Sequence, residues 1–465
     1  MEMPPLEPRA CAGGPLPRAF DCSILAWSPN RQEAPMTLAD IDIPTDIART
    51  LVDPTAYADG RIHETYDWLR ANNPIGRAKV DGFDPFWVIT RFEDLREISR
   101  DNTRFPYGDR PVVVTDQASE AFTREMTGGK LALFRSLVQM DPPDHIKYRL
   151  LTQAWFMPKN LRTLDARIGE IADKTVEKLR GLGGACDFVA DIALRYPLEV
   201  VMEILGVPAA DYDLMLRLTQ QNFAPSDPDS IPEGLDVNDP TFRAQAGKAF
   251  ATSLAAYFAG ISEDRRRNPR DDIATIIANA RVDGEPIPPE DELGYYAIIA
   301  TAGHDTTSSS TARAMWALAR DPELFARVKA EPALIPALIE EAIRWETPVK
   351  TFMRSVAHDL EFAGRAFRAG EWLMLCYASA NRDEAVIEDG AAFRIDRGKS
   401  EHMAFGFGPH VCLGQHLARQ EMKALFERLL PAIRSVSLDG DVEMSQSFFV
   451  NGLKRLPIRF ELEVR

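Results

Sequence analysis

FGFGPHVCLGQHLAR, residues 405–419, runs a glycine-rich loop into the first turn of a helix, with Cys412 at the junction. Free backbone N–H groups and the positive end of the helix dipole favour a thiolate there over a thiol. A thiolate so held is a strong ligand for a soft metal. Gly406 and Gly408 remove side chains where backbone must approach the sulfur, and N–H bonds to that sulfur would tune the metal's potential. Gly414 lets the helix approach a flat cofactor, and Phe405 is placed to shield the ligand from water.

Bulk properties set the frame around this loop. The chain has 465 residues, 45% hydrophobic and 27% charged, which is enough to bury a large core. A formal net charge of -16 argues against nucleic acid or an anionic membrane as a partner, since both need clustered positive charge. Cys11, Cys22, Cys186, Cys376 and Cys412 are odd in number and far apart. They fit neither a disulfide framework nor a zinc spacing, and imply a reducing, cytoplasmic setting. The longest strongly apolar stretch, residues 293–303, is stopped by His304 and Asp305, so no membrane span is expected. Residues 1–35 are rich in Pro and Gly without a signal-peptide pattern. They read either as a disordered tail or as an overextended start ahead of Met36, leaving 36–465 as one domain.

Residues 75–80 and 86–90 suggest a hairpin around Asp81-Gly82. Residues 102–140 mix apolar side chains with turn formers and read as a long irregular loop, helix periodicity returns over 145–218, and 225–240 is dense in Pro, Asp and Gly. Loops of that length in a compact domain are often lids. Residues 290–319 read as one helix of about 30 residues, roughly 45 Å long. Another helix is expected over 336–345, short strands over 360–362, 366–368 and 372–375, and a last helix over 413–430, ended by Pro431. The fold class is mainly α with a small β portion.

Within the long helix stands AGHDTT, residues 302–307. Ala302 and Gly303 leave room beside a cofactor, and a helix weakened at Gly303 could bulge. Asp305 and Thr306 form an acid–alcohol pair, which by itself is either a helix-bending hydrogen bond or a proton relay. Glu341 and Arg344, one turn apart, pair on one helix face. In DPPDHIKYR, residues 141–149, His145 and Arg149 lie one turn apart at a helix start.

Together these segments resemble the cytochrome P-450 superfamily, with matches at Phe405, Gly406, Gly408, His410, Cys412, Gly414, Leu417 and Ala418 of the first. The TPVKTFMRS, YASANRDE and terminal FFVNGLKRLPIRF stretches resemble above all the bacterial monoterpene (α-terpineol) hydroxylases, from about Ile43 to the end. The resemblance implies a long central helix over haem b, with Cys412 as axial iron ligand. It assigns Asp305 and Thr306 to proton delivery, and His145, Arg149, Arg354 and His410 to the two haem propionates. It also puts Ala302, Phe405, Gly406 and Gly414 against the cofactor. Glu341, Arg344 and Arg397 become a buried structural network, and Ile298, Thr301, Val349, Phe352 and Phe449 an apolar substrate pocket.

The implied reaction is hydroxylation of a small hydrophobic molecule, a monoterpene such as α-terpineol, limonene or p-cymene, or an alkylbenzene, by dioxygen. Cysteinate-held haem iron favours O–O cleavage. No flavin or nicotinamide fingerprint appears, so electrons come from an iron–sulfur ferredoxin and its NAD(P)H-dependent flavin reductase, with the protein acting as a monomer. Lys147, Arg149, Lys159, Arg162 and Arg167 form a basic patch for an acidic ferredoxin. A peroxide-driven haem-thiolate hydroxylase or a non-catalytic haem sensor is the alternative, and neither needs the acid–alcohol pair.

Overall fold

Hydroxyl-rich sequence makes an unusual core helix, and this one explains itself by self-bonding. In the computed structural model, which describes residues 41–464 except 109, 132, 133, 224–226, 228–239, 399 and 400, the helix Asp305–Arg320 buries Thr307 through Met315 without a break. Its small side chains let neighbours approach on every side. Their hydroxyls bond back one turn: Thr306 Oγ1 donates to Ala302 O (2.7 Å), Ser309 Oγ to Asp305 O (2.8 Å) and Ser310 Oγ to Thr306 O (3.1 Å).

That helix does not continue unbroken from the one before it. Pro289–Ala302 ends at Gly303, and a new helix starts after His304, whose ψ is -73°. The single long helix expected from the sequence is thus two pieces with a break at the weak glycine. Each hydroxyl competing for a carbonyl near the break makes interruption cheaper.

The mainly α architecture with a small β portion is as expected. Strands Ile75–Ala78, Phe86–Ile89, Trp372–Cys376 and Thr351–Ser355 form one sheet in that order. The middle two run parallel, with Phe86 opposite Trp372, and Thr351 pairs antiparallel with Cys376. Trp372–Cys376 is buried along its whole length, which its unbroken apolar run requires of a central strand. The 75–80/86–90 hairpin forms in register, Ile75 opposite Ile89. Leu360–Phe362 and Arg365–Phe367 pair as a small hairpin.

Two further expectations need correction. Residues 102–140 are not one irregular loop: they contain the helix Gln117–Thr127, capped by Asp116 accepting from Ser119 N and closed by Gly128 at φ 69°. Its apolar stripe, Ala118, Ala121, Phe122 and Met126, is short and none of its residues is fully buried, so the segment reads weakly against the turn formers around it. Pro431 lies inside the last helix, Gln415–Ala432, rather than ending it. Most of 225–240 falls outside the described residues.

Ile335–Glu346 carries Glu341 and Arg344 and stops at Thr347, a non-glycine residue at φ 44°. Thr347 is held there by its own hydroxyl donating to Arg344 O (2.6 Å) and by Asn381 Nδ2 donating to that hydroxyl (2.8 Å). This turns the chain sharply into Pro348 and the strand bearing Phe352 and Arg354.

Candidate functional site

The loop ahead of Gln415–Ala432 is set by its glycines. Gly406 and Gly408 adopt φ of 69° and 72°, a region that side chains disfavour. A Cβ on Gly408 would meet Ser99 O at 2.4 Å. Cys412 N donates to Phe405 O (2.8 Å), which folds the loop back on itself. The N–H groups of Gly414 and Gln415, the first free donors of the helix, lie near enough to the Cys412 sulfur to favour its charged form. A Cβ on Gly414 would touch nothing but that sulfur, at 4.0 Å, so protein leaves this face open. Cys412 is accessible yet deep, as befits a group lining an internal cleft.

Burial nevertheless pushes the Cys412 thiol up, against the pull of those N–H groups and of Arg149 and Arg419. The helix terminus alone does not make a thiolate; an added cation is needed. Among the described residues no three His, Cys, Asp or Glu side chains gather as a metal site. A metal at Cys412 must therefore bring its remaining ligands with it.

Beside the sulfur lies a cluster of bases. His145 stacks on His410 (ring centroids 3.8 Å), and Tyr107 meets His410 edge-on (4.8 Å). The Arg354 guanidinium carbon sits 3.9 Å over the Tyr107 ring. Arg149 Nη2 donates to Val411 O (2.8 Å), next to Cys412. Burial, then the neighbouring cations, depress the two imidazoles: His145 to about 4 and His410 to about 2. Arg354 is only 1% exposed, yet neither it nor Arg149 has a carboxylate partner among the described residues. Its Nε and the His410 Nε2 have no hydrogen-bond partner. The nearest acid, Asp141, is occupied by the N–H groups of Tyr107 and Gly108 (both 2.9 Å).

On the broken helix, Thr301 is buried with its hydroxyl on Ala297 O (2.7 Å), while Ile298, Ala302, Asp305 and Thr306 are half-buried. Asp305 Oδ1 lies 3.5 Å from His304 Nδ1, and Oδ2 is buried without a partner. Burial raises the Asp305 carboxyl, opposed by His304. Thr307 lies beside the buried Glu421, nine residues beyond Cys412, where the Asp305 helix and the Cys412 helix pack together. Opposite stands a second wall. Val349 bridges Val450, Lys350 N donates to Phe449 O (2.8 Å), and Phe352 packs on Phe449 (5.3 Å). That turn is pinned to the helix where Gly452 meets Ser309, since a Cβ there would lie 2.2 Å from Ser309 Oγ.

Arg344 is fully buried and bidentate to Glu341 (2.8 and 2.7 Å), and Arg397 Nε donates to the same carboxylate (3.1 Å). Both arginines also hold backbone carbonyls of residues 381–392, such as Gly390 O and Ala392 O.

The basic patch expected over 145–167 is dismantled. Lys147 pairs with Asp283, Arg167 with Glu203, and Arg149 turns inward. What remains outside is Lys159 and Arg162 beside Ile146, Leu150 and Met157, which are 53%, 59% and 45% exposed. Sequence reading also missed Tyr107, whose ring joins Arg354 to His410.

The Cytochrome P450 family profile matches residues 61–462. Cytochrome P450-terp of Pseudomonas sp. is 44% identical over 423 residues, covering 90% of this chain and 98% of that one. Steroid C26-monooxygenase of Rhodococcus jostii is 30% identical, over 88% of this chain and 84% of that protein. The crystal structure of CYP108D1 from Novosphingobium aromaticivorans superposes with a TM-score of 0.84 at 44% identity, covering 91% and 100%. CYP268A2 of Mycobacterium marinum, in complex with pseudoionone, gives 0.79 at 29% identity, covering 92% and 100%. With its cysteine loop, broken helix and Glu–Arg–Arg cluster in one fold, the chain belongs to the cytochrome P450 family of monooxygenases.

Proposed function

We propose that this P450 binds haem b through Cys412 and hydroxylates a small hydrophobic molecule of monoterpene or alkylbenzene size, with α-terpineol, limonene and p-cymene as the first candidates. The observation that carries the cofactor assignment is the uncompensated base cluster beside the sulfur. A buried and a half-buried guanidinium and two imidazoles depressed by burial, with Arg354 Nε and His410 Nε2 unpartnered, suit a flat group bearing two carboxylates. The open face at Gly414 suits its plane. When bound, haem supplies a redox iron that activates dioxygen for insertion of one oxygen atom into a C–H bond.

The chain's own residues do the rest. His145, Arg149, Arg354 and His410 hold the carboxylates, while Phe405, Gly406 and Gly414 shape the sulfur side and Ala302 keeps the opposite side clear. Thr306 orients a proton at its hydroxyl, and Asp305, its carboxyl raised by burial, is the proton's upstream holder. Ile298, Thr301, Val349, Phe352 and Phe449 exclude water and orient the substrate. Glu341, Arg344 and Arg397 fix the segment that leads to the cysteine loop. Electrons come from an iron–sulfur ferredoxin fed by an NAD(P)H-dependent flavin reductase. It docks over Ile146, Leu150 and Met157 with Lys159 and Arg162 at the rim, a mainly apolar contact with little charge. The enzyme works as a monomer in the cytoplasm, with residues 36–465 as its one domain and 1–35 outside it. Among the described residues no helix is long and apolar enough to cross a membrane.

Likeness to cytochrome P450-terp and to a P450 crystallised with pseudoionone supports the terpenoid reading. The test is a spin-state titration of the ferric protein with monoterpenes, alkylbenzenes, fatty acids and steroids. Monoterpenes or alkylbenzenes are expected to shift the iron to high spin. A response confined to fatty acids or steroids would overturn the substrate class.

A further inference from the structure

At the break between the two central helices, His304 is completely buried and its ring is committed on both nitrogens. Nε2 lies 2.7 Å from Leu194 O, which can only accept, so Nε2 carries a hydrogen. Nδ1 faces Thr219 Oγ1 at 3.2 Å and Asp305 Oδ1 at 3.5 Å. The Thr219 hydroxyl also reaches Leu216 O at 3.2 Å. That hydroxyl has one hydrogen and two acceptors within reach. If it donates to Nδ1, the ring is neutral and every group around it is satisfied except Asp305, which then keeps its own proton. If it turns to Leu216 O, its oxygen can accept from Nδ1–H, and the ring is an imidazolium facing an ionised Asp305. The two states differ by a hydroxyl rotation and the transfer of one proton, and neither leaves a buried ring nitrogen unpaired.

Resting on the reading of Asp305 as the upstream proton holder, we propose that His304 is its positioning residue, taking the proton when Asp305 releases it and returning it, with Thr219 as the switch between the two forms. The arrangement supports this from three sides. The helix break aims the ring away from the helix's own carbonyls. Asp305 Oδ2 is buried and unpartnered, so His304 is the carboxyl's polar contact among the described residues. His304 is also the one ionisable neighbour that offsets the effect of burial on the Asp305 carboxyl. Thr219 comes from the helix Tyr212–Phe223 and Leu194 from the chain entering Arg195–Leu205, so two further elements grip the ring.

The test uses the haem-loaded enzyme with ferredoxin, reductase and substrate, and compares His304→Gln, Thr219→Val and Asp305→Asn. Glutamine keeps an N–H for Leu194 O but cannot take a second proton. His304→Gln is expected to bind substrate as the wild type does, to lose about tenfold to hundredfold in kcat with a larger solvent deuterium isotope effect, and to keep the protonated-carboxyl infrared band of Asp305 to higher pH. The double variant with Asp305→Asn is expected to be no slower than the slower single one. Thr219→Val removes both the donor to the neutral ring and the acceptor for the imidazolium, leaving Asp305 as the polar neighbour of Nδ1; only the charged form then has a partner there, so the pH profile of kcat should move to higher pH. Wild-type rate, isotope effect and infrared band in His304→Gln, with Asp305→Asn slow, overturn the role of His304 and leave the Asp305 reading standing. Weakened substrate binding with an unchanged isotope effect overturns it too, as packing alone. Wild-type turnover in Asp305→Asn overturns both together. Should His304→Gln fail to load haem, Thr219→Val decides, and an unmoved pH profile overturns the proposal.

Discussion

Replacing Arg354 by methionine is expected to push two stabilities in opposite directions. Among the described residues the Arg354 guanidinium is buried without a carboxylate, and its one hydrogen bond, to Phe105 O, is long at 3.4 Å. It also adds to the charge that depresses His145 and His410. Burying an ion costs several kcal/mol. Against this stands its contact with the Tyr107 ring, about 2 kcal/mol when desolvated. Arg354→Met, which fills a similar volume without charge, should therefore stabilise the haem-free chain by about 1–3 kcal/mol. If haem binds as proposed, Arg354 would hold one of its carboxylates, and losing it should cost about 2–4 kcal/mol of cofactor binding, or roughly 30- to 1,000-fold in haem retention. Urea unfolding of the haem-free protein reads the first quantity, and haem transfer to apomyoglobin reads the second. A haem-free variant less stable than the wild type, or unchanged haem retention, would refute the reasoning.

Cys412→Ala should still fold but give a reduced carbon monoxide complex without the red-shifted Soret band of thiolate ligation; persistence of that band would require another ligand. Gly408→Ala combines a left-handed φ with a Cβ 2.4 Å from Ser99 O, a backbone atom that cannot step aside. A loss of about 2–5 kcal/mol follows, checked by thermal unfolding together with haem content, and an unchanged melting temperature would count against the loop geometry. Glu421 is buried and its carboxyl is held well above the usual range by burial, eased only by Thr307. It keeps its proton to higher pH in the fold than in the unfolded chain, where it ionises above about pH 4.5. The unfolded state thus binds fewer protons, and this group's contribution to stability falls as pH rises from there. Glu421→Gln should flatten that fall, so the variant gains on the wild type between pH 5 and pH 8 in denaturant titrations, and a parallel pH dependence would show the carboxyl to be ionised in the fold.

Features carried by neighbours in sequence were the legible ones. The cysteine loop, the Glu341–Arg344 pair and the weak point at Gly303 each depend on residues within a turn or two, and each lies where the pattern put it. Helix Gln117–Thr127 escaped because its stripe of Ala118, Phe122 and Met126 is short and set among turn formers, though the Asp116 cap and the Gly128-Gly129 pair flanking it were visible signals. Tyr107 escaped because its meaning comes from Arg354 and His410, hundreds of residues away. The basic stretch over 145–167 misled for the same reason, since Asp283 and Glu203 neutralise it across the fold.

The self-bonded helix Asp305–Arg320 also divides the molecule into a part that resists redesign and a part that admits it. Most of its buried residues are alanine, serine or threonine, so an added methylene presses on closely packed neighbours. Altering substrate preference through that helix would disturb the haem-side packing at Thr307 and Glu421 as well. The turn carrying Phe449, by contrast, is anchored at Gly452, on the backbone of Lys350 and through the buried Asn451, so the Phe449 ring itself holds none of these anchors. A lineage adapting to a new hydrocarbon would be expected to rewrite Val349, Phe352 and Phe449 long before it touched the serines, and a laboratory library is best spent on the same three positions.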